Sequence, residues 1–410
     1  MRRELLFISP VVPRPTGDGR RIRAWHVLRA LAADRVVHLI VAGSAGASDL
    51  AAADLPVAQR LAIPGGFVRA SERLLRRAAR RAVPSFSAQS LGRPPEWCVP
   101  DRSAHAAIRA FVADKEIEVQ HVFRLYMMPV AEVVRSFLPH VRTQLDLDDL
   151  EFETRERFAQ LHAQRDERGE AALARADARF YDAVATKYLS QADRVWVCSD
   201  RDRGILRERV ASDRVSVVPN TVQPAEVATH RSRAEPFTFL FVGALGYFPN
   251  RAGVEWFLGA VMPLLRTMAT GPFLVRIVGR QSPFRPLRAR HTGADVELTG
   301  FARDLAPHYG SAGAVVVPIQ AGGGTRVKVL EAFAHGLPVI TTPVGVEGLS
   351  VEHGVHVLVA GDALAFAERC RQVMEEPVLA AALASRGREV YDRCYAPNVV
   401  ADAVRRASRA

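Results

Sequence analysis

The chain has 410 residues, 49% hydrophobic and 24% charged, which is enough for two domains of about 200 residues and excludes a disordered or fibrous protein. Its net charge is +11 and points to an anionic partner, with nucleic acid, phosphorylated small molecules and acidic lipid all qualifying. Four cysteines, Cys98, Cys198, Cys370 and Cys394, lie far apart with no CxxC, as expected of a reduced cytosolic protein without structural zinc.

The first apolar run, residues 5–8, is short and is followed by Pro10 and Pro13 without a small-residue cleavage site. It reads as a strand, not as a signal peptide. No window approaches the roughly 18 uncharged apolar residues of a membrane span, so a cytoplasmic protein is expected. After a Pro/Gly loop, residues 20–33 carry apolar side chains at helical spacing. Residues 36–41 (VVHLIV) form a continuous β-branched run, as a strand buried on both faces should. Strand, helix and strand make a parallel βαβ unit. Further strands are expected at 119–123, 143–147, 194–198 and 215–218, with a long polar helical stretch over 149–188. Residues 223–236 lack apolar periodicity and read as a linker between a domain spanning 1–222 and one spanning 237–395. In the second domain strands are expected at 237–242, 273–278, 296–298, 314–318 and 338–341. Helices are expected at 252–268, 326–335 and 363–391. The last helix, within 396–410, is expected to cross back to the first domain. The fold class is α/β, with two doubly wound Rossmann-like domains.

The most informative stretch is residues 315–346, VVVPIQAGGGTRVKVLEAFAHGLPVITTPVGV. A buried strand leads into Gly322, Gly323 and Gly324, and a helix is expected to start at Thr325. Glycines let backbone N–H groups approach a ligand closely, and a helix start is an anion site. Arg326 and Lys328 place two cations in the first turn, which is unfavourable unless an anion sits there. Lys328 stands out further because the chain has only three lysines, Lys115, Lys187 and Lys328. Glu331 is placed to accept hydrogen bonds from a diol such as a ribose. The plainer alternative is a flexible loop before an ordinary amphipathic helix.

This stretch resembles the C-terminal signature of the retaining, nucleotide-sugar-dependent glycosyltransferases of family 4, E-G-F-G-x-x-x-L-E-A-M-A-x-G-x-P-V-V. The resemblance extends to Val217-Val218-Pro219-Asn220, Phe241-Val242-Gly243, Ile277-Val278-Gly279-Arg280, Thr299-Gly300-Phe301 and Gly17-Asp18-Gly19. The segment Tyr247-Phe248-Pro249-Asn250 with Trp256-Phe257 resembles a subset linked to exopolysaccharide biosynthesis. The resemblance implies a GT-B fold, two Rossmann-like domains facing across a cleft. It also implies transfer of a sugar, with retention, from a nucleoside diphosphate to a hydroxyl of a glycan or lipid-linked acceptor. Arg326 and Lys328 would then stabilise the departing diphosphate. Gly17, Gly19, Gly243, Arg280, Gly322, Gly323, Gly324, Thr325 and Glu331 would bind the donor. Two cations and a helix end make a metal or other cofactor unnecessary.

Two departures from the family pattern stand out. Gly323 occupies the place of the first glutamate of the family's E-x7-E pair, and Phe123 or Arg124 the place of its N-terminal histidine. His121 reads either as a buried strand residue or as an active-site group. Asp146-Leu147-Asp148-Asp149 has hard oxygen ligands at alternate positions but lies far in sequence from the phosphate loop. It reads as an acceptor-side cluster with Arg124 and His121, not as a metal site. Arg69, Arg73, Arg76, Arg77, Arg80 and Arg81 form a run fitting either a solvated helix face or a surface helix on anionic lipid, which would place the protein peripherally on the inner face of the membrane. No nucleic-acid module is present. A nicotinamide oxidoreductase lacks its G-x-G-x-x-G. A non-catalytic sugar-nucleotide or glycan-binding relative remains the alternative.

Overall fold

The computed structural model describes residues 3–43, 47–64, 93–225, 235–281, 287 and 293–409. The basic run at 69–81 lies outside the described residues. The chain forms two compact units, one of residues 1–220 with 400–410 and one of residues 221–399.

In unit one, β1 (Glu4–Ser9), β2 (Val36–Gly43), β3 (Gln59–Pro64), β4 (Ile117–Phe123), β5 (Arg142–Leu147), β6 (Arg194–Val197) and β7 (Val215–Val217) build a parallel sheet in the order β3-β2-β1-β4-β5-β6-β7. Alternation along β1 supplies both faces. Leu6 and Ile8 join one apolar layer with Ile108, Val130 and Tyr181; Leu5 and Phe7 join the other with Val27, Leu28 and Trp196. The second layer is completed by Val400, Val404 and Ala407, of the C-terminal helix Pro397–Arg409. Strand order reverses between β1 and β4, so the loops after these strands diverge and open a crevice at their carboxyl ends.

In unit two, β8 (Phe237–Val242), β9 (Phe273–Val278), β10 (Val296–Gly300), β11 (Ala314–Val317), β12 (Val339–Thr341) and β13 (Leu358–Val359) pair in parallel as β10-β9-β8-β11-β12-β13. Here the order reverses between β8 and β11. The loops leaving these two strands carry Gly243 and Gly322–Gly324.

Several elements differ from expectation for local reasons. The stretch 149–188 is two helices, Glu151–Gln164 and Arg168–Gln191, separated at Asp166, whose φ is 54°. The run 363–391 divides at Pro377, which cannot donate to the preceding turn. The helix expected at 252–268 starts earlier, at Phe248, aided by Pro249, and passes through a π turn at Phe257–Val261 into Met262–Met268. The helix after the glycine loop begins at Val327, not at Thr325, because Arg326 stays extended. The strands Gln59–Pro64 and Leu358–Val359 carried no expectation. Each is short and at a sheet edge, where one pairing partner sets the strand and apolar patterning is weak.

Candidate functional site

The site in unit two is assembled at the β8/β11 switch point. Gly243, directly after β8, donates its N–H to Val278 O at 2.9 Å. Gly279, after β9, is pressed against it: a Cβ on Gly279 would lie 2.0 Å from Gly243 O, and its φ is 157°. A Cβ on Gly243 would in turn meet Asn250 Nδ2 at 2.7 Å and Lys328 Nζ at 3.1 Å. These glycines are needed because two backbones and two polar side chains share one corner.

Lys328 stands in the first turn of the helix Val327–Ala334. Its Nζ donates to Asn250 Oδ1 at 2.6 Å and sits 4.5 Å from the centre of the Phe241 ring. Burial lowers its pKa to about 7; Arg326 pushes the same way and Glu331 opposes. Glu331, one turn on, accepts the Tyr309 hydroxyl at 3.0 Å. Burial raises its carboxyl to about 7 against the opposing pull of Tyr309 and Lys328. Tyr309 is held by stacking on His335, ring centres 4.3 Å apart.

Arg326 does not project from a first helical turn. Its guanidinium folds back on its own loop, donating to the carbonyls of Gly323 and of Gly324, the latter at 2.9 Å. It therefore fixes the loop in which Gly322 and Gly324 have φ of 150° and 62°. Thr325 is buried beside it. Arg280 lies with its guanidinium carbon 5.2 Å from the ring of Phe301, a side chain 67% exposed. Gly243, Gly279, Asn250 and Lys328 thus meet around one corner, with Glu331 one turn beyond.

The remaining candidates lie in unit one. Gly17 (φ 118°) and Gly19 flank Asp18, which caps the helix Gly19–Ala32. His121 and Asp146 are both 0% exposed. His121 is packed between Phe7 and Trp196, with ring centres at 4.8 and 4.7 Å, and its Nε2 is 3.5 Å from Asp146. Asp146 is the counter-ion of the equally buried Arg23, at 2.7 Å. Burial alone would push its carboxyl up, but Arg23 and His121 hold it below the ordinary value. Arg124 and Asp148 pair at 2.9 Å just beyond the strand ends. Arg124 adopts φ 81°, a conformation costing about 1–3 kcal/mol in a non-glycine residue.

Sequence reasoning missed Asn250, Tyr309, Arg23 and Glu151. Arg23 had a signal: with Val27, Ala30 and Leu31 it shares the apolar stripe of its helix, so it needed a buried acidic partner. Among the described residues no group of three or more histidine, cysteine or acidic side chains could hold a metal ion. No described helix is long and apolar enough to cross a membrane.

Residues 236–376, the greater part of unit two, match the family model described as glycosyl transferases group 1. Unit two is a group 1 glycosyltransferase domain. No curated protein sequence matches the chain. Among solved structures, sucrose-phosphate synthase from Thermosynechococcus elongatus is similar with a TM-score of 0.69 at 20% identity, covering 100% of this chain and 98% of that one. Anabaena HepE in complex with UDP and glucose is similar at 0.68 and 12% identity, with 99% of each chain covered. A variant of S. aureus TarM in complex with fondaparinux, α-GlcNAc-glycerol and UDP gives 0.68 at 9% identity, with 100% of each covered. At these identities the likeness establishes the GT-B fold, two parallel-sheet α/β units.

Proposed function

We propose that the group 1 domain binds a nucleoside-diphosphate sugar at the β8/β11 switch point. The chain then transfers the sugar, with retention, to a hydroxyl of a glycan or lipid-linked acceptor held by unit one. Lys328 carries the proposal. It is an amine beside a glycine loop, desolvated enough to lose its proton near neutrality, and hydrogen-bonded to a neutral amide. Such a group gains most when an anion arrives.

Departure of the diphosphate builds negative charge, which the Lys328 ammonium and the N–H groups of Gly323 and Gly324 would stabilise. Arg326 contributes by fixing those N–H groups through its bonds to the loop carbonyls. Glu331, steadied by Tyr309, would accept from the ribose, and Arg280 with Phe301 would border the same site. No step needs a metal, and a peripheral membrane location would follow from a lipid-linked acceptor. The experiment is a thermal-shift series with UDP-, GDP-, ADP-, dTDP- and CMP-sugars in EDTA, followed by turnover of the stabilising donor in wild type and Lys328→Ala. A stabilised melt with one base, and a rate loss of about 30- to 1000-fold in Lys328→Ala, are expected, corresponding to about 2–4 kcal/mol. No shift with any nucleotide, or activity retained within about threefold, would refute the assignment.

The glycine at position 323 favours one second proposal, a sugar-nucleotide-binding relative that does not turn over. Intact nucleotide binding with no transfer to any acceptor would select it.

A further inference from the structure

Asn250 stands in the first turn of the helix Phe248–Trp256, and its side-chain amide is held at both ends. Its Nδ2 donates to Ala244 O at 3.0 Å, and its Oδ1 accepts from Lys328 Nζ at 2.6 Å. The carbonyl of Ala244 can only accept, so the amide nitrogen must face it and the amide oxygen must face Lys328. Asn250 Nδ2 and Lys328 Nζ both lie over Gly243, where a Cβ would come within 2.7 Å and 3.1 Å of them. Asn250 thereby ties the loop that leaves β8 to the helix Val327–Ala334 that follows the glycine loop. The corner is open to a ligand, since Asn250, Lys328, Gly243, Gly323 and Gly324 all keep part of their surface exposed.

Two local fields at position 250 favour a carboxylate. The first turn of a helix stabilises an anion, and a lysine nitrogen at 2.6 Å would form a charge-assisted bond with one. Aspartate has the shape and reach of asparagine, yet the chain carries the amide. A local preference set aside without a gain in packing is the pattern of a functional position. The chemical difference is that an aspartate would claim the charge of the ammonium, whereas the amide takes one of its three donors and none of its charge. The charged groups acting on Lys328 are Arg326, from the glycine loop, and Glu331, on its own helix. Glu331 accepts from the Tyr309 hydroxyl at 3.0 Å. β8 and the helix Phe248–Trp256 present Phe241 and Asn250 to the amine, and neither is charged.

We propose that Asn250 is a positioning residue of the donor site: its amide fixes the Lys328 amine over Gly243 and leaves the charge and two donors of the ammonium to an arriving diphosphate. The proposal rests on the reading of this corner as a diphosphate site.

The test is calorimetric titration of the full chain at pH 8 with inorganic pyrophosphate and with UDP, in two buffers of different ionisation enthalpy. Wild type should take up most of one proton as Lys328, near 7 when free, is recharged. In Asn250→Asp the new carboxylate pairs with Lys328 beforehand. That variant should take up less than about a fifth of a proton and bind both probes about tenfold or more weakly. Asn250→Ala leaves the amine unpaired, so its proton uptake should persist while affinity falls about fivefold, the worth of one hydrogen bond. Asn250→Asp should melt at or above wild type, through its ion pair and its place at a helix start, which separates lost binding from lost folding. A residue that only packed the corner would move the melt and not the proton count. With wild type binding, affinity within about twofold or equal proton uptake in Asn250→Asp would overturn the proposal and leave the donor reading standing. Binding of neither probe to wild type would overturn both.

Discussion

The protonation of Glu151 makes stability depend on pH in a direction that can be worked out. Burial raises its carboxyl from the ordinary 4.5 to about 8; Arg124 opposes this, and Asp149 and Asp148 reinforce it. The folded chain therefore binds this proton more tightly than the unfolded chain. The corresponding stability is fully present below about pH 4.5 and is lost as pH rises towards and through 8. Between pH 6 and pH 9 the loss is on the order of 3 kcal/mol, two pH units at about 1.4 kcal/mol each. For a unit of this size that is roughly 5–10 °C in Tm. Glu151→Gln cannot ionise, so the variant should lack this component while other titrations stay common to both proteins. Tryptophan fluorescence is a suitable readout, because Trp25, Trp97 and Trp196 lie in unit one and Trp256 in unit two. The expected result is that Glu151→Gln gains on wild type steadily from pH 6 to pH 9. Parallel Tm profiles, within about 1 °C, would show that Glu151 is ionised in the folded protein and would refute the reasoning.

Three further outcomes are expected. Arg23→Met should cost about 3–5 kcal/mol in urea unfolding, because Asp146 is left buried without its counter-ion, and Arg23→Met with Asp146→Leu should recover most of it. Gly279→Ala should destabilise unit two by about 2 kcal/mol or more and weaken nucleotide binding in parallel, since the new Cβ would lie 2.0 Å from Gly243 O at a φ of 157°. Nucleotide binding at pH 8 should take up most of one proton, because Lys328, near 7 when free, is recharged by the diphosphate; calorimetry in two buffers of different ionisation enthalpy should show this uptake, and Lys328→Met should abolish it.

The parts of this protein legible in its sequence are those governed by short-range rules. Buried parallel strands announce themselves as continuous runs such as residues 36–41, and the glycines at 322–324 announce a turn in which Gly322 and Gly324 take positive φ. Helix limits were less legible, because Asp166 and Pro377 interrupt patterns whose apolar spacing continues across them. Arg326 was misplaced for a related reason: sequence position gave it to a helix turn, whereas the loop carbonyls of Gly323 and Gly324 hold its guanidinium. Pairings across large sequence separation were illegible without the fold. Arg23 reaches Asp146 only because strand order carries β5 beside the helix that bears Arg23, and Asp146 carries no local mark.

Arg23 in unit one and Lys328 in unit two are partnered in opposite ways, and the difference has a functional logic. In unit one Arg23 is matched to Asp146 and also donates to Val218 O and Asn220, so it is spent on the fold. In unit two Lys328 is given the Asn250 amide and the Phe241 ring, not a carboxylate ion pair. A cation in a carboxylate pair must break that pair before it can serve a phosphate, losing much of what the new contact provides. A desolvated amine on an amide surrenders only a neutral hydrogen bond. The cost of holding Lys328 in this state falls on the empty site, where it lowers the amine's pKa, and is recovered when charge develops on the departing diphosphate, which is where a transferase needs it.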